Sequence, residues 1–494
     1  MQKKQTILVV ASLLVVVLSV TLAYFTAQII GKGKNVTINS ADLKIIFTDS
    51  DGSISGSNIE PGKWNATKTF TIENKSNETY KYNIVIQDLV NTFVTEGYLQ
   101  YKITSTNGGY NMTEFKDVPK SETATDTILA YSVSIPVGVI QSYTIEFKYA
   151  NDESVDQSDD MAKKLSGTLF ITEGTIDPNK TLYNQLLVDK STVLTRTDFS
   201  TVLTTDNTNT LYTSTEDSKT VYYFAGNATD NWVKFGKNAS NQDLYWRIIR
   251  TNSDGSVRLL YHGTSTTATD AYIGTSKFNS SRDNIAYVSY MYGSLGSIPG
   301  ARENTTDSTI KTVIDNWYAS NMTSYTKYLS TTAVYCNDRS TSNNENFGAY
   351  TRLDTNKTPS YDCATTEDKF TVDSSTGNGK LTYPIALMTA DEVSFAGGLF
   401  GTKAPTWYYY NSANGSSTGS TWWWLLSPSY WYGSNARVFS VYGSSSPGYL
   451  YSNGVGGTYG VRPAISLKSC TLYSTGNGSA SDPYTITLDP DISC

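Results

Sequence analysis

The segment from residue 407 to residue 462 constrains the fold more than any other part of the chain. It holds five of the nine Trp residues and nine Tyr residues, set among many Ser, Gly and Asn residues. A core is built mainly from Leu, Ile and Val, and so many Gly and Ser residues would leave voids in it. Tyr and Trp give stiff contact area, while Ser, Gly and Asn give adaptable hydrogen bonds, as in antibody paratopes. The segment predicts a binding surface at residues 407–460; the alternative is a set of aromatic hairpins that only cover a small core.

Nine side chains in this segment are candidates for ligand contact. Its Gly- and Ser-rich backbone needs water or polar partners, so we expect surface loops and hairpins that expose a patch of rings. From residue 428 to residue 460 the only formal charge is Arg437, which we expect to anchor a strand opposite Arg462. The predicted ligand-binding residues are Tyr430, Trp431, Tyr432, Asn435, Tyr442, Tyr449, Tyr451, Asn453 and Tyr459.

Length and charge limit the function classes. The 494 residues suffice for roughly two or three domains, each with its own core. The net charge is -7, and acidic and basic residues are interspersed. No basic stripe exists that could neutralise phosphates, so we expect no nucleic-acid partner. Charged residues make up only 17% of the chain, a neutral-polar balance that is typical of exported β proteins.

The N-terminus indicates export. Lys3 and Lys4 precede an uncharged apolar run at residues 7–25. As a helix, this run of about 19 residues would span roughly 28 Å, close to the hydrocarbon thickness of about 30 Å. Residues 1–34 therefore predict an apolar helix that is either a signal peptide or a membrane anchor. We expect an extracellular protein at the cell surface, either secreted or, if residues 7–25 stay uncleaved, anchored in the membrane.

The four cysteines are compatible with an oxidising compartment. They are Cys336, Cys363, Cys470 and Cys494, and three pairings are formally open. The economical choice pairs Cys336 with Cys363 and Cys470 with Cys494. Reduced, structurally idle cysteines are the alternative, because not every exporting cell oxidises its surface proteins.

Residues 35–174 predict an all-β sandwich domain. Tyr80, Tyr82, Ile84 and Ile86 alternate with Lys81, Asn83, Val85 and Gln87, a pattern that is typical of a half-buried strand. Seven such runs lie at 43–47, 67–72, 80–87, 98–103, 129–135, 143–149 and 165–171. Seven short strands separated by turn clusters favour a sandwich. The acidic loop 151–160 is either a solvated loop or a Ca²⁺ site that lacks the Gly and final Glu of an ordered calcium loop.

The N-terminal part resembles a known family. The run ending in TLAYFTAQIIGKG and the later phrase FTIENKSNETYKYNI are similar to the biofilm-matrix fibre and camelysin family of exported bacterial proteins. The resemblance covers about residues 1–174. It implies an extracellular protein without a cofactor, and some family members polymerise by strand exchange. This chain departs from the family in carrying a larger second domain.

The rest of the chain predicts a linker and an α+β domain. Residues 175–204 form the expected linker with a short helix, and residues 205–494 form the second domain. Residues 244–251 and 256–261 predict a hairpin around a Ser-Asp-Gly turn. Apolar residues at helical spacing predict a helix over 308–320, and a capping box at Thr389 predicts another.

The second domain also carries a resemblance. The phrases WRIIRTNSDGSVRLLY, TWWWLLSPSYWYGSNARVFSVYG and YGVRPAISL resemble a bacterial surface domain that is similar to C-type lectins and formylglycine-generating enzymes. The resemblance covers about residues 205–470 and implies a C-type-lectin-like fold. Some relatives are diversified by retroelements that randomise asparagine codons near the C-terminus. The resemblance assigns six residues to the framework: Trp423, Ser427, Pro428, Gly460, Arg462 and Pro463.

Catalysis finds little support in the sequence. His262 is the only histidine, so every triad would depend on that position. No zinc or iron ligand set can be assembled, and we expect no metal, cofactor or catalytic residue. Asp391 and Glu392 are adjacent, but neighbouring side chains on a helix diverge, and Glu392 fits better as a cap.

Three functions therefore compete. The first is a surface adhesin or receptor whose partner is an unknown surface protein or glycan. The second is a structural subunit of an extracellular matrix or fibre. The third is a carbohydrate-active enzyme with an acid pair that the sequence does not reveal.

Overall fold

The chain is β-rich and divides into two compact units, Met1–Asp177 and Pro178–Cys494. The computed structural model describes residues 35–40, 43–49, 53–56, 61–160, 163–175, 177–190, 192–268, 271–341, 345–404, 422–443, 446 and 448–488. The apolar segment 1–34 lies outside these residues. Within the described part, no helix is long and apolar enough to cross a membrane.

The first unit consists of two antiparallel sheets. Its strands are β1 Asn35–Ser40, β2 Leu43–Asp49, β3 Ser53–Gly56, β4 Asn65–Asn74, β5 Tyr80–Asn91, β6 Leu99–Ser105, β7 Lys116–Asp117, β8 Ser121–Ile135, β9 Ile140–Tyr149 and β10 Leu165–Glu173. One sheet has the order β1-β2-β4-β9-β6-β7, and the other has the order β3-β10-β5-β8. A single-turn 3-10 helix lies at Ser158–Asp160. All seven predicted strand runs coincide with strands, and the strand predictions are confirmed.

Alternation of side chains builds the core of this unit. Phe70 and Ile72 of β4 and Ile145 of β9 are buried in one cluster together with residues of β5 and β10. The hydroxyl groups of Tyr82 on β5 and Tyr143 on β9 hydrogen-bond to each other inside this core. Because β5 and β9 belong to different sheets, this bond joins the two layers.

The acidic loop is only partly solvated. Asp160 is buried, and its carboxylate accepts hydrogen bonds from the backbone N–H groups of Val94 and Thr95 and from the Tyr149 hydroxyl. It therefore ties the loop to the sheet. No group of three or more possible metal ligands occurs among the described residues.

The second unit contains the remaining strands. These are β11 Thr192–Thr195, β12 Thr210–Glu216, β13 Lys219–Tyr223, β14 Trp232–Lys237, β15 Asp243–Thr251, β16 Val257–Gly263, β17 Thr275–Lys277, β18 Met291–Tyr292, β19 Thr306–Asp307, β20 Tyr335–Cys336, β21 Lys369–Phe370, β22 Ile385–Leu387, β23 Trp423–Tyr432, β24 Asn435–Val441, β25 Leu450–Gly454, β26 Thr458–Gly460, β27 Pro463–Leu467, β28 Tyr473–Thr475 and β29 Tyr484–Ile486. The α-helices are Leu182–Asp189, Ile298–Ala301, Thr309–Asn321, Gly348–Tyr350 and Ala390–Phe395. Single turns of 3-10 helix lie at Pro178–Lys180, Ile285–Val288 and Thr366–Asp368, and a longer 3-10 helix of six residues lies at Thr323–Tyr328. A π-helical turn lies at Thr351–Asn356.

Two larger sheets organise this unit. The first sheet has ten strands. Seven of them follow the order β11-β12-β13-β15-β14-β29-β28, and the other three branch from β15 in the order β16-β27-β22. Five strands form the second sheet in the order β17-β26-β23-β24-β25. The predicted hairpin is confirmed as β15 and β16, and Gly255 in its turn has a positive φ of 79°. Such a φ favours glycine, because a Cβ atom would be strained there.

Both predicted helices are present. The helix Thr309–Asn321 begins after Ser308, whose side chain accepts a hydrogen bond from the Lys311 N–H, and it buries Ile310 and Ile314. The helix Ala390–Phe395 begins after Thr389 with the predicted capping box to Glu392. The burial of Lys311, which pairs with Asp315 at 2.7 Å, was not foreseen.

Residues 178–204, expected to be a linker, belong to the second unit. The helix Leu182–Asp189 buries Leu182 and Leu186 in the core of this unit. The Leu182 N–H also donates to the Thr471 carbonyl at 2.8 Å, and β11 pairs with β12. The division between the units lies after Asp177, three residues beyond the predicted boundary.

We expect each unit to fold without the other. Each has its own hydrophobic cluster, so fragments 35–177 and 178–494 should each unfold cooperatively in urea. Circular dichroism and fluorescence should give coincident transitions for each fragment. A fragment without a cooperative transition would show that its core is incomplete.

Candidate functional site

The five-stranded sheet carries the aromatic segment. Strand β23 pairs with β24 on one side and meets β26 on the other, where Trp423 is opposite Gly460. Trp423 and Trp424 are fully buried, whereas Tyr430 and Tyr432 at the other end of β23 reach the surface. One strand therefore supplies both core and surface, because its rings leave the core near its C-terminal end. Residues 405–421, which belong to the predicted binding surface, lie outside the described residues.

Five rings form what we call the Trp422 cluster: Trp422, Tyr442, Tyr449, Tyr451 and Tyr459. The Trp422 ring lies 4.3 Å from Tyr442, 6.3 Å from Tyr449, 6.3 Å from Tyr451 and 6.4 Å from Tyr459, measured between centroids. The Tyr442 N–H donates to the Tyr449 carbonyl at 3.0 Å, and Ser440 lies opposite Tyr451. Because alternate residues of a strand share a face, Tyr442, Tyr449 and Tyr451 project together.

Four other predicted contact residues lie at or next to the turn between β23 and β24. Tyr432 is 69% exposed and pairs with Asn435 across the turn. Trp431 is half-buried against the hydrophobic core, and its backbone N–H donates to the Glu345 carbonyl at 2.7 Å. Tyr430, Trp431, Tyr432 and Asn435 therefore form a second group, apart from the Trp422 cluster.

Two further rings connect these groups. Phe400 stacks on Tyr451 at 5.3 Å, and Tyr350 lies 5.4 Å from Phe400 and 5.6 Å from Tyr430. The Phe347 N–H, just before the helix Gly348–Tyr350, donates to the Ser429 carbonyl and so holds Tyr350 beside β23. We call the Trp422 cluster with Phe400, Tyr350 and Tyr430 the aromatic band. Seven of its eight rings are half-buried, and the eighth, Tyr451, is 36% exposed.

The structure adds three rings to the prediction. Trp422, Phe400 and Tyr350 were not among the nine candidates, although Trp422 contacts four of the cluster's rings. The run Trp422-Trp423-Trp424 was a sequence signal for the first of these, because alternation along a strand places Trp422 and Trp423 on opposite faces. Asn453 is on the same face as Tyr451, but its side chain already donates to the Ser440 hydroxyl at 2.8 Å.

The Arg437 side chain contacts other residues of the five-stranded sheet. Its guanidinium lies 4.9 Å from the Tyr430 ring and donates to the Ser452 carbonyl at 2.5 Å. Its strand β24 pairs with β23 and β25, so the expectation of a strand opposite Arg462 is wrong. Arg462 is fully buried and donates instead to the Tyr261 carbonyl. Trp423, Ser427, Pro428, Gly460 and Pro463 are buried as well.

A cluster of charged residues lies in the core of the second unit, apart from the aromatic band. Glu392 is fully buried and accepts hydrogen bonds from Arg250 Nε at 2.9 Å, Arg258 Nη1 at 2.7 Å and the Thr389 N–H at 2.8 Å. Arg250 also pairs with Glu216 at 2.7 Å. Burial raises the pKa of Glu392, but Arg258 and Arg250 outweigh burial and leave the pKa lowered. The carboxylate therefore stays ionised, with its oxygens occupied by protein donors.

The neighbouring Asp391 is occupied in the same way. It accepts two bonds of 3.0 Å from Arg352 Nε and Nη2 and a third from the Ser360 N–H. The space between these side chains is about 10 Å³, roughly the minimum for one water molecule. Asp391 and Glu392 thus act in packing and capping, and a substrate has no room between them.

The single histidine lies inside the protein. His262 is fully buried, its ring meets Trp232 edge-on at 4.5 Å, and its Nδ1 lies 3.3 Å from Arg462 Nη2.

The predicted disulfide between Cys336 and Cys363 is present. Cys470 is also disulfide-bonded, and its expected partner Cys494 lies outside the described residues.

Comparison with protein families gives a match for part of the chain. Residues 329–469 match the model of a family described as a domain of unknown function, DUF6273. The match covers well under half of the chain, but it contains every ring of the aromatic band and the helix Ala390–Phe395. No curated protein and no solved structure matches the chain.

Replacing Glu392 with Gln should lower the free energy of unfolding by about 3 kcal/mol or more at pH 7. The substitution removes the negative charge that pairs with both Arg250 and Arg258, and it leaves these buried arginines without that partner. The lowered pKa of Glu392 sets the sign of the pH dependence: this stabilisation is present above the unfolded-state pKa of about 4.5 and is lost as the pH falls through the folded-state value. The difference between wild type and variant should therefore shrink in acid.

Urea unfolding of both proteins from pH 7 to pH 3 measures this difference. The exposed Glu367 provides the control, and Glu367→Gln should change stability by no more than about 0.5 kcal/mol. Equal effects of the two substitutions at pH 7 would contradict a supporting role of the buried carboxylate.

Proposed function

We propose that this chain is an exported bacterial surface protein that captures a protein or glycan ligand through the aromatic band. The observation that carries the proposal is the continuous path of half-buried rings from Trp422 through Tyr451, Phe400 and Tyr350 to Tyr430. Contiguous exposed aromatic area of this kind is characteristic of interaction sites.

The rings of the band are held in place before any ligand arrives. Backbone hydrogen bonds fix the chain at Tyr442, Tyr449 and Trp422, whose carbonyl accepts from the Gly460 N–H at 2.7 Å. The rings themselves pack on one another, and the Trp422 ring lies 4.3 Å from Tyr442 and 6.3 Å from Tyr449. A ligand therefore loses little free energy to the ordering of side chains. Pre-organisation supports a binding role over a mere cover for the core.

The finer fold assignment belongs to the same proposal. We infer that the first unit is a β-sandwich that serves as a stalk and that the second is a C-type-lectin-like receptor domain. The burial of the six framework residues and the central position of the β15–β16 hairpin support this assignment. Binding surfaces in loops and hairpins beside a rigid framework are a common arrangement.

Export is supported by the apolar run at residues 7–25 and by the disulfide between Cys336 and Cys363. Catalysis is a weaker alternative, because Asp391 and Glu392 have their oxygens occupied by arginines. A self-associating fibre subunit would use the same exposed rings, and the binding test below separates the two.

Ligand capture should depend on Tyr449 and Tyr451. We expect the full chain to bind members of an array of glycans and bacterial surface proteins, and the double variant Tyr449→Ala/Tyr451→Ala to lose about 2 kcal/mol or more per hot-spot ring. A matched control is Tyr287→Ala/Tyr292→Ala, which removes a half-buried pair of rings 5.4 Å apart elsewhere in the unit. Equal losses of binding affinity in both double variants would contradict the proposal. So would a result in which the chain binds only other copies of itself.

The location of the protein can be tested on intact cells. Because residues 7–25 are expected to direct export, external protease should digest the portion from residue 35 to residue 494. A cytoplasmic marker protein should remain intact in the same sample. Full protection of the chain until the cells are lysed would refute surface exposure.

A further inference from the structure

We propose that the ligand of the Trp422 cluster is a neutral glycan, bound by stacking of sugar rings and without a metal ion. This inference rests on the proposed function and narrows it to one class of partner. Three properties of the cluster carry it: its lack of charge, its small exposed area and its hydroxyl groups.

The first property is the absence of charge in the sequence that forms the cluster. From residue 422 to residue 460 the only charged side chain is Arg437, which is engaged with Tyr430 and the Ser452 carbonyl. Anionic sugars are normally held by cationic donors, which this segment does not offer. Protein partners are usually steered and selected by complementary charges at the rim of an interface. A neutral ligand fits the segment better than either.

The second property is size. An aromatic side chain contributes roughly 150–250 Å² when fully exposed. Tyr451 is the most exposed of the five rings at 36%, so the five together offer at most roughly 270–450 Å². A stable protein partner needs about 800 Å² on each side. The cluster is therefore too small for such an interface, but it is large enough for a few sugar rings, whose C–H faces pack on aromatic faces.

The third property is hydrogen bonding at the edges of the rings. Among the residues that the structure describes, the hydroxyl groups of Tyr449, Tyr451 and Tyr459 form no hydrogen bond with protein. Each phenol is both a donor and an acceptor. A sugar presents apolar C–H faces and a rim of hydroxyl groups, so the tilted rings and their phenols match both parts.

Metal-bridged sugar binding would need a different set of residues. No group of three or more His, Cys, Asp or Glu residues able to hold a metal ion occurs in the described part of the chain. Because stacking and phenol hydrogen bonds need no cation, retention by a neutral glycan should be insensitive to chelators and to salt.

Affinity electrophoresis of the full chain tests the inference directly. The gels contain mannan, galactan, a β-1,3-glucan, hydroxyethylcellulose or glycol chitin, with polygalacturonate as the anionic comparison. At least one neutral polysaccharide should retard the chain equally with and without EDTA and at low and high salt. Isothermal titration with the matching hexasaccharide gives the affinity.

The variants locate the site. Trp422→Ala should weaken binding by roughly thirty-fold, as expected for a hot-spot ring, and Trp422→Phe should retain part of the affinity. Tyr292→Ala, a half-buried ring outside the aromatic band, should bind like the wild type. Should Trp422→Ala unfold, Tyr451→Ala removes the most exposed ring of the cluster and should weaken binding at an unchanged melting temperature.

Three outcomes would overturn the inference: no retardation by any neutral polysaccharide, retardation by polygalacturonate alone, or unchanged retardation in folded Trp422→Ala and Tyr451→Ala variants. If a protein ligand is captured through Tyr449 and Tyr451 while every glycan fails, the proposed binding function stands and the neutral-glycan inference falls. If neither a glycan nor a protein is captured, both fall.

Discussion

The buried carboxylate of Glu392 is the interaction on which the second unit depends. It accepts hydrogen bonds from Arg250 on β15 and Arg258 on β16, and it closes the capping box of the helix Ala390–Phe395. The same turn holds β23, because the Ala390 N–H donates to the Ser427 hydroxyl at 3.0 Å. The β15–β16 hairpin, the helix Ala390–Phe395 and the aromatic strand β23 therefore meet around the Glu392 carboxylate. Such buried pairs add little net stability, but removing one partner is costly, so they favour one arrangement over its alternatives.

That arrangement determines how the aromatic segment can be used. Because β23 is fixed in the core at Ser427, its Trp423 and Trp424 rings are buried, while Trp422 at its start and Tyr430 near its end reach the surface. Strand β24 and the Tyr449–Tyr451 stretch then bring further rings to Trp422. The result is a partly exposed aromatic surface in a segment with little charge, on which the proposed neutral ligand would stack.

Much of the secondary structure was predictable because its signals are local. The alternation at Tyr80–Ile86 fixed a strand, and the Thr389–Glu392 capping box fixed the start of a helix, within a few residues of sequence. The tertiary place of residues 175–204 was not predictable, for the opposite reason. Leu182 and Leu186 were recognised as helical, but no local pattern shows that they pack into the core of the second unit, or that the Leu182 N–H bonds to Thr471 almost 300 residues later.

By itself, the sequence determined that the segment around residues 422–460 is rich in rings and nearly uncharged, and it offered Tyr442, Tyr449, Tyr451 and Tyr459 as candidates for ligand contact. Only the tertiary structure decided which rings touch. Trp422 meets Tyr459, and Phe400 meets Tyr451, because sheet register and the packing of distant segments place them together. The burial of Arg250, Arg258 and Arg462 was likewise a tertiary outcome, because a charged side chain enters a core only where partners from other strands satisfy it.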